Sequence, residues 1–427
     1  MSRPVPGSTS PLRRSSEPEP SAVDQTAQRP VIESAARGTP WRLLALLMAM
    51  TAIGPTSLNI LVPALPSLGA VFAVEPDTVQ LSVSLFLTGL AAAQLVMGPL
   101  SDRFGRRPVA LCGLVLTAAA SLAAVVTTDV ASFILTRVFQ AVGAATGLVI
   151  GRAIIRDLFD RDRSAAMLGL VTTAMVVAPM VSPLIGGLLE IAFGWKAIFL
   201  FVAALAAGVL VWAFAVLPET RSRHPAREGE SFFADLGRLA RSLAFNGYVA
   251  SAAFGSATFF AFLGGGPHVV VTMMGRTSAE YGIWFAISSL GYMNGNFVAS
   301  RLSVRLGVDR MMLWGLLIEA VGVAISMAAS VAHAYGPAAL FVPQIIISFG
   351  NGIMLPNAIA GAVSVRPQAA GTASGVLGCV QMAIGAAFVQ IGGLVLIDAR
   401  TALLLSAAMA AAVAAYALAF FLMVRRR

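Results

Sequence analysis

Charged side chains are scarce in this sequence, at 11% of its 427 residues, whereas soluble domains carry about 25%. Apolar residues make up 58% of the chain, and the mean hydropathy is +0.83. Even a large soluble core does not need this much apolar surface, so lipid must be the solvent for much of the chain. This balance excludes an ordinary soluble globular protein.

Cysteine and histidine are also rare, with two and three residues in the whole chain. Cys112 and Cys379 lie in separate apolar stretches, so they predict neither a disulfide framework nor a metal site. No glycine-rich run ends in the Gly-Lys-Ser/Thr of a nucleotide-binding loop. The sequence therefore indicates no enzyme active site, no metal and no cofactor.

The net charge of +9 does not indicate nucleic-acid binding, because the arginines lie between long apolar runs rather than on a soluble basic face. Twelve of these runs approach the ~20 residues that span ~30 Å of hydrocarbon. Backbone groups in lipid must be satisfied within the chain, so we interpret the runs as helices. The predicted spans are 41–63, 79–100, 109–127, 131–155, 165–189, 195–217, 247–272, 279–300, 311–330, 336–361, 371–396 and 401–424.

Two polar segments divide the spans into domains. Residues 1–40 are rich in Pro, Ser, Glu and Arg, which predicts a disordered cytoplasmic tail. Residues 218–243 separate two sets of six spans, 41–217 and 244–427, and end in an amphipathic stretch that predicts a helix on the inner membrane face. We therefore expect an all-α membrane protein with twelve transmembrane helices in two six-helix bundles and a short basic C-terminal tail.

The two sets of spans also repeat one another. Segments 101–107 and 303–309 share Ser, Arg and Gly at a single offset of 202 residues. A six-plus-six duplication permits alternating access, in which two pseudo-symmetric halves rock around a central site.

The distribution of basic residues predicts the orientation of the spans. If both termini face the cytoplasm, the tails and inner loops hold 25 of the 29 basic residues. Lys196, Arg276 and Arg400 then fall in outer loops, and Arg137 lies within a span. The positive-inside rule therefore predicts a multi-pass protein with both termini in the cytoplasm.

The segment after span 2 reads Gly98-Pro99-Leu100-Ser101-Asp102-Arg103-Phe104-Gly105-Arg106-Arg107-Pro108. It resembles the loop signature of the major facilitator superfamily, which that family carries at the same position. Asp102 can lie against the positive N-terminal end of another helix, and Arg106 and Arg107 can pair with Asp157. The alternative is a turn kept for its positive charge. The resemblance implies a cytoplasmic latch formed by Gly98, Asp102, Arg103, Gly105, Arg106, Arg107 and Asp157.

Span 4 contains a charged residue, Arg137, followed one turn later by Gln140. Charges inside spans are costly and usually face a polar interior. The segment resembles the family's helix-4 motif, whose Arg is associated with proton coupling; the alternative is that Arg137 snorkels to the outer face. Two more candidates for proton coupling are His268, because an unperturbed histidine titrates near neutral pH, and Glu319 in mid-span 9. Each has a structural role as its alternative.

Span 5 is similar to the family's antiporter signature. It contains two prolines, which break helical hydrogen bonds, and two glycines, which create close-packing grooves. The resemblance implies export by exchange, although kinked helices also occur without that meaning. The matching residues are Pro179, Pro183, Gly186 and Gly187.

A wider set of matches, from about residue 41 to 424, resembles the bicyclomycin and chloramphenicol resistance group of drug:proton antiporters. The matching residues are 62–66, Gln80, 156–159, 264–267, 355–358 and 370–374. The resemblance implies a bacterial inner-membrane carrier that exchanges protons for small amphipathic compounds. Asn59 departs from the pattern, because the family usually has an Asp there and Asn cannot titrate. That departure keeps open a specific metabolite exporter, for example of an amino acid, or a uniporter of the same fold.

Uncharged polar residues within the spans are candidates for lining a substrate cavity. Each can equally make a hydrogen bond between helices. No convincing buried carboxylate accompanies them, which disfavours a strongly cationic substrate. The expected partners are a small-molecule substrate, protons and the lipid bilayer, with no nucleic acid, and the protein is expected to be a monomer. The cavity candidates are Asn59, Asn294, Gln344, Asn357 and Gln381.

Overall fold

The computed structural model describes residues 40–159, 161–220, 232–333, 336–366, 369–394 and 402–424, so the predicted disordered tail and residues 221–231 lie outside it. Within these ranges the secondary structure is helical and contains no strand. Each predicted span falls on one of twelve long helices. They are α1 (Pro40–Asn59), α2 (Pro76–Phe104), α3 (Arg106–Val126), α4 (Val130–Leu158), α5 (Arg161–Phe193), α6 (Trp195–Val216), α7 (Leu243–Pro267), α8 (Ser278–Leu306), α9 (Val308–Val331), α10 (Pro337–Val365), α11 (Ala370–Leu394) and α12 (Leu403–Ala419).

Ten of these helices are long and apolar enough to cross a bilayer. α5 contains the apolar stretch Val177–Phe193, and α8 has the required length but not the hydropathy. α8 is more polar because it carries serines and asparagines, among them Ser288 and Asn296, along its length. α5 and α8 nevertheless pack against each other, so both are part of the helix bundle.

Several helices begin or end at a polar capping residue or at a glycine with positive φ. Asp129 caps α4 by accepting a hydrogen bond from the Ser132 N–H at 2.9 Å. The Ser132 hydroxyl also donates to this carboxylate, and these bonds hold the pKa of Asp129 below its usual value. Gly105, at φ +103°, separates α2 from α3, and Gly307, at φ +83°, separates α8 from α9. The two tight reversals occupy equivalent places in the two halves.

Three helices are interrupted or change pitch near their ends. After Asn59 the chain continues through a 3₁₀ turn (Val62–Ala64) into a short helix (Leu65–Phe72), so span 1 is longer than predicted. α7 passes into a π-helix (His268–Met273) directly after Pro267, whose missing N–H breaks the regular ladder. α12 similarly ends in a π-helix (Phe420–Val424).

The helices pack as two groups of six. In the first, α4 packs on α2 and α3, and α3 packs on α6; in the second, α10 packs on α8 and α9, and α7 packs on α11 and α12. The groups meet where α2 crosses α11 and where α5 crosses α8. We call these two crossings the seam. A short helix, Phe232–Ala240, occupies the predicted amphipathic stretch and contacts α7 and α11; its place on a membrane face stays a prediction.

The internal repeat seen in the loops extends into the packing of the helices. A Cβ on Gly143 of α4 would come within 2.5 Å of Thr117 in α3, and a Cβ on Gly350 of α10 would come within 2.8 Å of Glu319 in α9. Thr117 and Glu319 are 202 residues apart, the offset found in the loops. The α3–α4 and α9–α10 pairs are therefore equivalent units of a duplicated fold.

Candidate functional site

Arg106 is the centre of a polar cluster at the junction of α2 and α3. Its Nε lies 3.0 Å from Asp157 Oδ2 at the end of α4, so the predicted pairing is present. Its Nη1 lies 2.5 Å from Asp102 Oδ1 and donates to Ser101 Oγ at 2.6 Å. The side chain of Asp102 is 63% exposed and pairs with Arg106, and its predicted contact with the N-terminus of another helix stays a prediction.

Glu219 lies at the N-terminus of α3. Its carboxylate accepts hydrogen bonds from the backbone N–H groups of Arg106 at 2.9 Å and Arg107 at 3.1 Å, the first two residues of α3. Gly105 makes room for it, since a Cβ there would lie 2.6 Å from Glu219 Oε2. A carboxylate at this position complements the helix dipole. The sequence analysis missed Glu219, because its partners lie more than 110 residues earlier in the chain.

The other latch residues contact nearby parts of the same half. Arg107 donates to the Phe214 carbonyl at 2.7 Å, and its guanidinium lies 5.5 Å from the Phe214 ring centroid. Arg103 lies over the neighbouring Phe104 ring, and Gly98 has open space around its Cα. These partners all belong to the first six helices or the segment directly after α6. A contact of this cluster with the second half stays a prediction.

Arg137 is only 1% exposed, deep within the first half. It donates to the Gln140 side chain, which in turn donates to Ser121 Oγ at 2.7 Å. Its guanidinium lies 4.3 Å from the Phe86 ring centroid and 5.8 Å from that of Phe199. The alternative in which Arg137 snorkels to the surface is therefore wrong. Its Nε and Nη2 have no hydrogen-bond partner among the described residues, so this cation is held by cation–π contacts and one amide.

The glycines of the antiporter signature bring α5 against its neighbours. A Cβ on Gly186 would come within 1.9 Å of the Ile60 carbonyl, and one on Gly187 within 2.5 Å of the Ser278 carbonyl in α8. Pro183 is buried at the same crossing, where its carbonyl would meet a Cβ on Gly282 at 2.6 Å. Pro179 lies one turn earlier and is half-buried. These contacts are between backbones, so side chains larger than hydrogen do not fit.

A second pair of adjacent glycines, in α11, lies at the crossing of α2 and α11. A Cβ on Gly392 would come within 2.3 Å of the Ala261 carbonyl, and one on Gly393 within 2.5 Å of Gln80 Cγ. The first glycine of each pair thus contacts a helix of its own half, and the second contacts the opposite half. The sequence analysis missed this second pair, although it stands 206 residues after the first.

Three side-chain hydrogen bonds cross the seam among the described residues. Gln80 donates to the Gly264 carbonyl, in the glycine run that ends α7. Ser84 Oγ donates to Gln390 Oε1 at 3.2 Å, and Gln390 Nε2 donates to the Asp77 carbonyl at 2.9 Å. The seam is therefore held by a few uncharged hydrogen bonds and by close backbone packing.

A cavity of about 350 Å³ opens beside the seam, between the end of α1, the start of α2 and the end of α7. Its lining includes His268 and Glu75, together with Gln80 from the seam itself. His268 is half-buried at the start of the π-helix. The predicted proton-coupling histidine is thus at the edge of the contact between the halves, far along the chain from Arg137.

Glu319 is fully buried in the second half, between α9 and its neighbours. Neither carboxylate oxygen has a hydrogen-bond partner among the described residues. Gly315 and Gly350 allow α9 and α10 to approach each other closely beside it. The hydroxyl of Thr258 in α7 lies beside the carboxylate, so the interhelical hydrogen bond that is its structural alternative stays a prediction.

The predicted cavity residues are mostly buried and bonded locally. Asn59 and Asn357 are 2% and 3% exposed, and each amide donates at 2.8 Å to a carbonyl one turn earlier in its own helix. Gln381 donates to Ser256 Oγ at 2.8 Å, which links α11 to α7. Gln344 is buried in α10, and its Oε1 has no partner in the described structure.

Asn294 differs from the other four cavity candidates. It lies on an exposed face of α8, with the exposed apolar residues Leu290 and Phe297 one turn to either side, and its amide donates to the Leu290 carbonyl at 2.9 Å. None of the five candidates lines the cavity beside the seam. The structure therefore does not gather them into one site, and their contact with substrate stays a prediction.

Twelve long helices, ten of them apolar enough to cross a bilayer, pack in two duplicated groups with buried charges and no strand in the described ranges, which defines a polytopic membrane protein. Residues 44–277 match the family model of the Major Facilitator Superfamily, and the chain belongs to this family. An uncharacterized MFS-type transporter YdgK of Bacillus subtilis is 30% identical, covering 90% of this chain and 96% of the relative. The predicted family and fold class are confirmed.

Named relatives support the narrower resemblance to the bicyclomycin and chloramphenicol resistance group. A bicyclomycin resistance protein homolog of Haemophilus influenzae is 28% identical, over 79% of this chain and 85% of the relative. Multidrug resistance protein D of Escherichia coli is 30% identical over 79% and 85%. Among solved structures, a D-xylose-proton symporter has a TM-score of 0.75 at 13% identity, covering 90% of this chain and 98% of that one. The last comparison shows the fold alone.

Proposed function

We propose that this protein is a multidrug efflux carrier that exchanges protons for small amphipathic compounds by alternating access. The observation that carries the proposal is the seam, where two duplicated halves meet through paired glycines and a few hydrogen bonds. A contact of this kind lets rigid halves separate and close again around a shared site. Relatives named for bicyclomycin, chloramphenicol and multidrug resistance supply the substrate class.

The two ends of the molecule have different roles in this proposal. The hydrogen bonds of the seam join the start of α2 to the ends of α7 and α11, and the positive-inside rule assigns that end of the molecule to the periplasm. The Arg106 cluster then faces the cytoplasm with its partners in the first half. This combination supports a cytoplasm-facing state of a monomer in a bacterial inner membrane, with both termini cytoplasmic. A solved bacterial homolog of the human lysosomal transporter Spinster, in an inward-facing conformation, has the same fold at a TM-score of 0.72, 16% identity and coverage of 91% of this chain and 98% of that one.

The energy required is small enough for one proton. A proton that moves down 100 mV supplies about 2.3 kcal/mol. At about 1.4 kcal/mol per tenfold, this sustains roughly a fifty-fold substrate gradient. The three hydrogen bonds across the seam contribute energy on the same scale, at about 1 kcal/mol each. Proton and substrate binding can therefore decide which end of the carrier is open.

A specific metabolite exporter or uniporter of the same fold is the second candidate, and Asn59 is the observation that favours it. This residue is buried in α1 where the resembling antiporters carry an acid, and it donates its amide to Pro55. A uniporter needs no titrating group there. Under this alternative, cells lacking the protein show no change in drug sensitivity.

The test is transport of chloramphenicol, the probe, into proteoliposomes with and without an imposed pH gradient. With the interior acidified by one unit, outward proton flow should drive uptake several-fold above the level without a gradient, and a protonophore should abolish the difference. Uptake that is equal with and without the gradient would rule out proton exchange for this compound. Saturable uptake of that kind would favour the uniporter.

Arg137→Ala tests whether the helix-4 cation takes part in this coupling. Removing the guanidinium leaves Gln140 Oε1 without its donor and opens space between Phe86 and Phe199. We expect at least tenfold slower gradient-driven uptake, with chloramphenicol counterflow retained. Normal gradient-driven uptake in this variant would remove Arg137 from the mechanism without affecting the proposed function.

A further inference from the structure

Glu319 is a buried acid that helix packing does not explain. Its counterpart in the first half, Thr117, fills the same place between α3 and α4, and the Thr117 hydroxyl donates to the Gly113 carbonyl at 2.9 Å. The threonine satisfies its own hydrogen-bonding capacity within one helix. Glu319, by contrast, is 0% exposed and has two oxygens without a partner in the described structure. In the second half a carboxyl group thus stands where a threonine, with its hydroxyl already hydrogen-bonded, is sufficient for packing in the first half.

A lone carboxylate in such a place is costly. Burying an ionised group without an ion pair or hydrogen bonds costs several kcal/mol, and binding a proton removes that charge. The titratable side chain that faces Glu319 from α12 is Tyr416, which donates its hydroxyl to the Met312 carbonyl at 2.7 Å. From α7 the facing polar group is the neutral Thr258. No basic residue in the described part of the chain forms an ion pair with Glu319.

We propose that Glu319 is the residue that binds and releases the transported proton, in place of the helix-1 acid that Asn59 lacks. This inference rests on the proposed proton exchange. The proton adds to the carboxylate when the site communicates with the periplasm and leaves it on the cytoplasmic side, with no other bond made or broken. The substrate binds at another site. It competes with the proton because the two favour different conformations, not because they contact the same residue.

Hydrogen bonds connect the surroundings of Glu319 to α7. Asn351, next to Gly350 on α10, donates its amide to the Gly255 carbonyl of α7 at 2.9 Å. Thr258 donates to the same carbonyl at 2.7 Å. Thr258 and the Gly255 carbonyl therefore lie on the side of α7 that packs against α10. An ionised Glu319 competes with this carbonyl for the Thr258 hydroxyl, whereas a protonated one does not.

Other hydrogen bonds link α7 to α11 and to the seam. Ser256, the residue after Gly255, accepts a hydrogen bond from Gln381 of α11. Two turns further on, Gly264 accepts the hydrogen bond from Gln80 of the first half. A change of charge at Glu319 can therefore shift α7 and weaken or restore its contact at the seam.

The experiment compares Glu319→Gln with Glu280→Gln in proteoliposomes. Both variants replace one carboxyl by an amide, but Glu280 lies at the exposed start of α8, 3.9 Å from Arg276. Two assays use chloramphenicol as the probe: uptake driven by a pH gradient, and counterflow without a gradient. We expect Glu319→Gln to lose gradient-driven uptake at least tenfold and to keep counterflow within about twofold of the wild-type rate. Glu280→Gln should match the wild type in both assays.

The outcomes separate this inference from the proposed function. If the wild type itself shows no gradient-driven uptake, proton exchange fails as a whole. If the wild type is driven by the gradient and Glu319→Gln is driven equally well, Glu319 does not carry the proton. Proton release provides a second readout that does not depend on transport: chloramphenicol added to detergent-solubilised wild type should release protons to a pH-sensitive dye. The same addition to folded Glu319→Gln, checked by thermal unfolding, should release none, and release at the wild-type level overturns the proposal.

Discussion

Gly187→Ala is predicted to weaken the contact between α5 and α8, because a glycine is needed where the two backbones meet. A Cβ at this position would lie 2.5 Å from the Ser278 carbonyl oxygen and 2.8 Å from Ala279 Cα. Ordinary contacts begin at 3.4 Å, so the two backbones must separate by about 0.9 Å to admit the methyl group. Backbone atoms cannot change rotamer, and overpacking of this kind typically costs about 1–3 kcal/mol. Under the proposed alternating access, in which α5 and α8 separate when the seam opens, this cost falls on the sealed state.

That cost sets the size of the expected effect. A change of 1–3 kcal/mol alters the equilibrium between sealed and open seam by roughly 5- to 150-fold. Ser84 is 6% exposed and contacts Gln390 across the seam, so a cysteine there reports opening. On a background with Cys112 and Cys379 replaced by serine, Ser84→Cys should react with an impermeant maleimide at least fivefold faster when Gly187→Ala is added.

Gly208→Ala in α6 is the matched control, because a Cβ there meets no atom within 4 Å. It should leave the labelling rate unchanged. Labelling of the Gly187→Ala protein at the control rate, with its thermal unfolding temperature also unchanged, would mean that the α5–α8 contact does not limit opening. Close glycine packing would then not control the equilibrium between the sealed and the open seam.

Three further substitutions test individual contacts. Glu219→Ala should lower the thermal stability by about 0.5–2 kcal/mol, because it removes the cap of α3, as detergent unfolding scans can measure. The hydrogen bonds from Ser132 lower the pKa of Asp129, so its stabilising effect is present above the ordinary value of 3.8 and is lost as the pH falls through the folded value. Asp129→Asn should therefore reduce the drop in unfolding temperature between pH 5 and pH 3. Asn59→Asp should raise resistance to tetraphenylphosphonium about tenfold, whereas Asn357→Asp, an equally buried control, should not.

The spans could be predicted from the sequence because each requires about 20 apolar residues, a property of one continuous segment. The extension of span 1 was missed, because Pro63 and Pro66 suggest an end to the helix where the structure has only a 3₁₀ turn. α8 was predicted correctly despite its polarity. Its serines and asparagines bond to carbonyls one turn earlier, as Asn296 does to Tyr292, so the helix satisfies its own polar groups.

The site was harder to predict, because its contacts join residues that are far apart in the chain. The Arg106–Asp157 pair was predictable from opposite charges at neighbouring helix ends, and it is present. Glu219 was not, since nothing in its local sequence shows which helix N-terminus it meets. Arg137 was expected in a polar interior, but its neighbours are the rings of Phe86 and Phe199. Hydropathy identifies the helices, but it does not specify which helix faces lie against one another.

The duplication explains why the two halves can stay rigid while the contact between them changes. Within each half, glycines of α4 and α10 bring backbones together beside Thr117 and Glu319, and these contacts recur along pairs of long helices. Across the seam, the described contacts are two glycine crossings, three uncharged hydrogen bonds and apolar side chains of both halves packed in one cluster. The three hydrogen bonds amount to roughly 3 kcal/mol at about 1 kcal/mol each, and a proton that crosses 100 mV supplies about 2.3 kcal/mol. One protonation can therefore offset the hydrogen bonds of the seam, whereas it is far too small to unpack either half.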